Sequence, residues 1–129
     1  MSAPAAMSVS AFAFLLTGVL LNAAAQLLLK AGTNVLGVLT LTRDNWLDTL
    51  TRMATQGYFV AGAMFYAVSI VVWILGLSRV PVSVAYPMLS LGYVVNAVAA
   101  YWLFGEALGP ARCAGIALIL LGVFLIART

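Results

Sequence analysis

Residues 9–30 read VSAFAFLLTGVLLNAAAQLLLK, and this stretch decides the fold class. Between Val9 and Leu29 only Ser10, Thr17, Asn22 and Gln26 interrupt the apolar run. At about 1.5 Å per residue, a helix of that length matches a hydrocarbon core about 30 Å thick. Lys30, Ala31 and Gly32 are expected to end it, with a cation in the last turn and a glycine suited to a C-cap. Ala23-Ala24-Ala25 has the look of a leader-peptide cleavage site, but no positive n-region precedes the run and the run is long enough to span.

Working outward, three more runs have the same character: residues 57–77, 82–104 and 111–127. Composition agrees, since 65% of the 129 residues are hydrophobic and only 7% are charged, with a mean hydropathy of +1.15. Soluble domains carry about a quarter charged residues, so lipid must cover this apolar excess. The expected fold is an all-α membrane protein, a single domain built as a four-transmembrane-helix bundle.

The connections refine that picture. Trp46, Leu47, Leu50 and Met53 recur at helical spacing beside Asp44, Asp48 and Arg52, which predicts a short amphipathic helix in the first loop, lying on the membrane surface. Ser78-Arg79-Val80-Pro81 is short enough to force an antiparallel hairpin between the second and third spans. Pro87 removes a backbone donor one turn into the third span and is expected to kink it. Pro110 is placed to open the fourth.

A net charge of +3 comes from six basic residues scattered singly, so no patch for nucleic acid exists. Lys30, Arg43, Arg52 and Arg112 fall on one side of the membrane and Arg79 and Arg128 on the other, which favours a cytoplasmic first group with both termini outside. Cys113 is the only cysteine and there is no histidine, so neither an intrachain disulfide nor a Cys/His metal site is expected, and no cofactor.

Polar side chains inside a span need partners or a wet cavity, which makes each a candidate site residue. Asn22, Gln26 and Lys30 stand at i, i+4 and i+8, on one face of the first helix, where they could hydrate a groove and hold an anionic headgroup at its mouth. Interhelical hydrogen bonds and a snorkelling lysine are the plainer alternative. Tyr86, Ser90, Tyr93 and Asn96 in the third span, and Tyr66, Ser69 and Trp73 in the second, could line the same cavity or simply pack. Glu106, the single glutamate, lies at the end of the third span, where pairing with Arg112 or another cation is the structural alternative to a binding role. Gly115, Leu118 and Gly122 in the fourth span form a small-residue face suited to a dimer seam or to packing within the chain.

These residues together resemble the small multidrug resistance type of four-helix transporter, of EamA type, in the drug/metabolite transporter superfamily. The resemblance is carried by Val80-Pro81-Val82-Ser83-Val84-Ala85-Tyr86-Pro87, by Phe104-Gly105-Glu106-Ala107-Leu108 with residues 115–123, and by Gln26-Leu27-Leu28-Leu29-Lys30-Ala31-Gly32. It covers almost the whole chain. The family's cation exporters exchange protons through a glutamate in the first helix, about two turns before the lysine; that position here is Asn22, which cannot titrate. Their usual tryptophan after the tyrosine matching Tyr86 is also missing, with Leu89 and Ser90 in that region.

A branch without the glutamate, with the Gln-x-x-x-Lys ending and a longer first loop, is similar to flippase subunits for aminoarabinose linked to undecaprenyl phosphate. That resemblance implies a non-enzymatic transporter of a membrane lipid substrate in the bacterial inner membrane, acting as a homodimer or as a heterodimer with a similar four-helix subunit. It implies Lys30 at the phosphate, Asn22, Gln26, Tyr86, Ser90 and Asn96 along the path, and Glu106 at a cationic sugar or a gate. A small-cation antiporter with its carboxylate at Glu106, and a non-transporting membrane subunit, remain as alternative readings.

Overall fold

The computed structural model describes residues 8–128. They form α1 (Val9–Leu36), α2 (Trp46–Thr55), α3 (Gly57–Leu77), α4 (Val82–Met88), α5 (Ser90–Phe104) and α6 (Pro110–Ala127), with no strand among the described residues. Four helical stretches are long and apolar enough to cross a membrane: α1, α3, α4 with α5 as one interrupted span, and α6. The chain is an all-α, multi-pass membrane protein.

α1 and α3 form the tightest pair, and the sequence shows why. Ala11, Gly18, Ala25 and Gly32 recur every seventh residue and all are buried; Gly62, Ser69 and Gly76 do the same on α3. Small side chains on a seven-residue period make a continuous seam along which two helix backbones can close. The pairing is antiparallel, with Gly18 against the backbone of Trp73, Gly76 against Leu15, Gly62 against the Ala25 carbonyl, and Gly32 against the Phe59 ring.

That last contact corrects the expected end of the first helix. Gly32 does not cap it but stays helical, and its missing side chain serves packing, since a Cβ there would come within 2.9 Å of the Phe59 ring. The chain turns at Gly37 instead, whose φ of 81° suits glycine and whose N–H donates to the Thr33 carbonyl at 2.8 Å. With 28 residues and a length of about 42 Å, α1 outruns the hydrocarbon layer, so it tilts or projects beyond it. The Ala23-Ala24-Ala25 tract lies in mid-helix, with Ala23 and Ala25 buried; the n-region on which a leader-peptide reading turns is outside the described residues.

The expected helix in the first loop is present as α2, which leaves Trp46, Leu47 and Leu50 exposed. Its start is set by Asn45, whose Oδ1 accepts from the backbone N–H and hydroxyl of Thr42 at 2.8 and 2.9 Å. Gln56 then caps α3, its Oε1 accepting from the Phe59 N–H at 3.0 Å.

The expected irregularity near Pro87 is a tightened turn centred on Leu89, whose φ of -58° and ψ of -25° remain right-handed helical. Pro87 has no N–H to offer Ser83, and the chain tightens just beyond it: Leu89 N–H donates to Tyr86 O and Gly92 N–H to Leu89 O, both at 2.9 Å and both three residues back. At this end of the bundle Leu15, Ala85, Met88 and Val123 form the buried core, and the Arg79 guanidinium sits 4.5 Å over the Phe14 ring.

At the opposite end Gly105 takes a φ of 69°, and Glu106 N–H reaches back to Ala100 O at 3.3 Å. Gly109 and Pro110 then open α6. Of α6 only Val123 is buried, while Leu118, Leu121, Phe124 and Leu125 are exposed.

Candidate functional site

No single cavity is lined by Asn22, Gln26 and Lys30 together. They line successive cavities that touch one another. Asn22 helps enclose a cavity of about 200 Å³ with Tyr66, Ser69 and Trp73 of α3 and Tyr86 of α4. Asn22 and Gln26 then line a second, of about 350 Å³, with Leu89, Gly92, Tyr93 and Asn96. Gln26 and Lys30 line the largest, about 600 Å³, with Asn96, Phe104, Glu106, Arg112 and Gly115 among its walls. On its far side Lys30 borders a fourth cavity of about 410 Å³ beneath the start of the first loop, with Thr33, Asn34 and residues 37–39.

Helix geometry explains the succession. Each step of four residues turns about 400°, so an i, i+4, i+8 stripe drifts by about 40° per step while climbing about 6 Å. Asn22 thus shares cavities with α3, α4 and α5, Gln26 with α5 and α6, and Lys30 with α5, α6 and the turn between them. Asn22 and Leu89 are common to the first two cavities, and Gln26 and Asn96 to the next pair.

The innermost cavity is aromatic and polar. Trp73 and Tyr86 meet edge to face, with centroids 5.8 Å apart and planes at 86°. Ser69 is buried and its hydroxyl donates to the Tyr66 carbonyl at 2.6 Å, so it is committed to the helix backbone. Between the second and third cavities the Asn96 side-chain oxygen is buried without a hydrogen-bond partner. A buried acceptor left unmet costs about 1–3 kcal/mol, so this oxygen is a built demand for a donor.

The largest cavity has charges only at its mouth. Lys30 and Arg112 supply cations from α1 and α6, and Glu106 a carboxylate from the α5–α6 turn. The pairing expected between Glu106 and Arg112 does not form: the guanidinium donates instead to the Ala107 carbonyl at 3.0 Å. No ion pair is made among the described residues. The sequence places Arg112 near Glu106 as a pairing partner; its position two residues after Pro110, in the first turn of α6, does put it beside the Glu106 turn, on the same cavity.

The remaining candidates fall in different places. Tyr93 lines the second cavity but is 66% exposed. Ser90 is half-buried and lines none of these cavities. Gly115 opens the wall of the largest cavity, Leu118 is 69% exposed, and a Cβ at Gly115 or Gly122 would meet nothing within 4 Å.

A comparison with protein families matches residues 3–128, nearly the whole chain, to EamA-like transporters. This protein belongs to the EamA-like transporter family. Among its relatives is a probable 4-amino-4-deoxy-L-arabinose-phosphoundecaprenol flippase subunit, ArnF, of Erwinia tasmaniensis, 39% identical over 117 residues that cover 88% of this chain and 91% of the relative. The ArnF subunit of Proteus mirabilis, also named probable, is 37% identical over 84% of this chain and 85% of its own length. A probable ArnE subunit of the same kind of flippase, from Pectobacterium atrosepticum, is 35% identical over 57% of this chain and 66% of its own length. No solved structure matches. In this EamA-like chain the polar residues of α1 thus meet α3, α5 and α6 in turn, along one run of cavities.

Proposed function

We propose that this EamA-like protein is a subunit of a flippase that carries a polyprenyl-phosphate-linked amino sugar across the bacterial inner membrane. The observation that carries this reading is the joined series of cavities along Asn22, Gln26 and Lys30. A polar headgroup taken bare through hydrocarbon pays a desolvation cost of several kcal/mol for each unmet polar group. Fixed amides and an ammonium, spaced along the path, offset that cost at each step, while the polyprenyl tail stays in lipid through the open side of each cavity. No bond is made or broken, and the spans hold no carboxylate to exchange protons.

The name of the ArnF and ArnE relatives, flippase subunit, supports a pair of similar four-helix chains. The exposed face of α6 around Leu118 and Gly122 offers a surface for the second subunit.

The test is translocation of a fluorescent polyprenyl phosphodiester sugar in proteoliposomes, with this chain reconstituted alone and with a small partner subunit, for wild type and Lys30→Ala. A charge-assisted hydrogen bond to phosphate contributes about 1.5–3 kcal/mol. Lys30 is exposed, so the lower end applies and the rate is expected to fall about tenfold. Translocation indifferent to Lys30, or uptake of small cations driven by a pH gradient instead, overturns the reading.

A further inference from the structure

The mouth of the largest cavity presents both signs of charge with neither neutralised. Lys30 and Arg112 face it from α1 and α6, Glu106 faces it from the intervening turn, and no ion pair closes among the described residues. Arg112 is held in place by its hydrogen bond to the Ala107 carbonyl, and Glu106 is exposed on a turn fixed by Gly105 in the left-handed region. Below the charges, Leu27, Phe104, Ile116 and Ile119 form an apolar wall. Two cations and one anion on the lining of one largely apolar cavity, with no ion pair closed among them, describe the complement of a ligand that carries an anion, a cation and a hydrocarbon chain.

We infer that this mouth is a two-pole headgroup site: Lys30 and Arg112 take the phosphodiester, and Glu106 takes the ammonium of a free amino sugar. The inference rests on the flippase reading and adds to it the sign of the selectivity. Two cations gathered on the phosphate repel an ammonium a few ångströms away across the sugar ring. Glu106 reverses that repulsion, so the wild-type site prefers the amine-bearing lipid over the same lipid with its nitrogen acylated and neutral. Removing the carboxylate charge leaves the two cations unopposed and inverts the preference. Arg112 is thereby a second anion contact beside Lys30, and Glu106 a specificity-determining residue.

The experiment is binding to detergent-solubilised protein, wild type, Glu106→Gln, Glu106→Asp, Arg112→Gln and Lys30→Ala, of three probes: polyprenyl phosphate without sugar, the polyprenyl phosphodiester of an amino sugar, and its N-acetylated form. Wild type is expected to bind the amine form about tenfold more tightly than the acetylated one, a difference of about 1.4 kcal/mol. Glu106→Gln is expected to bring that ratio below one while binding polyprenyl phosphate at least as tightly as wild type, since a carboxylate that repels the anion is gone; that retained binding also reports that the variant is folded. Glu106→Asp should restore part of the preference. Arg112→Gln should weaken all three probes about tenfold. A Glu106→Gln variant that loses affinity equally for amine and acetyl forms overturns the two-pole site. Polyprenyl phosphate binding that ignores both Lys30 and Arg112 overturns the flippase reading beneath it, and the two failures are thus told apart.

Discussion

Gly76→Ala is the substitution that best tests how the bundle is held. A Cβ at position 76 would stand 2.5 Å from Cδ2, 2.9 Å from Cγ and 3.2 Å from the backbone nitrogen of Leu15. Leu15 cannot swing clear, because it is fully buried and packs with Ala85, Met88 and Val123. Overpacking of this kind costs about 1–3 kcal/mol, against a helix-propensity gain of about 1 kcal/mol for replacing glycine by alanine. The 2.5 Å approach to a buried side chain puts this site in the upper half of that overpacking range, so a net loss of about 1–2 kcal/mol is expected, read as a lowered midpoint in thermal unfolding followed by circular dichroism in a fixed detergent. Gly122→Ala is the control: its Cβ meets nothing within 4 Å, so the midpoint should stay or rise. Leu15→Ala alone should cost about 2–5 kcal/mol, but paired with Gly76→Ala it frees the space the new methyl needs. The double variant should therefore be more stable than the sum of the singles by about 1 kcal/mol. Additive losses, or a Gly76→Ala protein as stable as wild type, would refute the close seam.

Two further substitutions probe the path. Gly115→Leu places a side chain in the wall of the largest cavity, where nothing stands within 4 Å of its Cβ; lipid translocation should drop at least tenfold with the thermal midpoint unchanged, and continued translocation would remove that cavity from the path. Asn96→Leu deletes the orphaned buried oxygen, so the protein should gain about 1 kcal/mol in stability while translocation slows, a trade that marks a polar group kept for function.

The four spans were legible because their signal is collective: hydropathy over some twenty residues does not depend on any one side chain. The loop helix was legible from Trp46, Leu47, Leu50 and Met53, whose spacing survives without tertiary context. Glycine was harder to read, since the same residue serves two purposes. Gly32 follows a lysine at the expected end of a span, yet it lies within the α1–α3 seam, while Gly37 holds the positive φ. The seven-residue recurrence of Ala11, Gly18, Ala25 and Gly32, matched by Gly62, Ser69 and Gly76, was present in the sequence as the discriminating signal. Gly115 and Gly122 share that spacing on α6, but a Cβ at either would meet nothing within 4 Å in this chain.

That Asn22, Gln26 and Lys30 line cavities could be read from the sequence, but the layout of those cavities could not, and the reason is the helix itself. Placing Asn22, Gln26 and Lys30 on one face treats four residues as a whole turn, and the neglected 40° accumulates to about 80° from the first to the third. That drift carries the stripe from the cavity bounded by α3 and α4 to the one bounded by α5 and α6. A spacing of seven residues, which nearly closes on itself, was used for the seam that must stay against one neighbour; a spacing of four was used for the stripe that passes from one neighbour to the next. The two periods on one helix divide its labour. The seam fixes α1 to α3, and because α1 is fixed, its polar stripe presents a stationary spiral of ligands past the looser α5 and α6. A headgroup moving along such a spiral exchanges one polar partner for the next about every 6 Å, and at no step must it give up all of them at once.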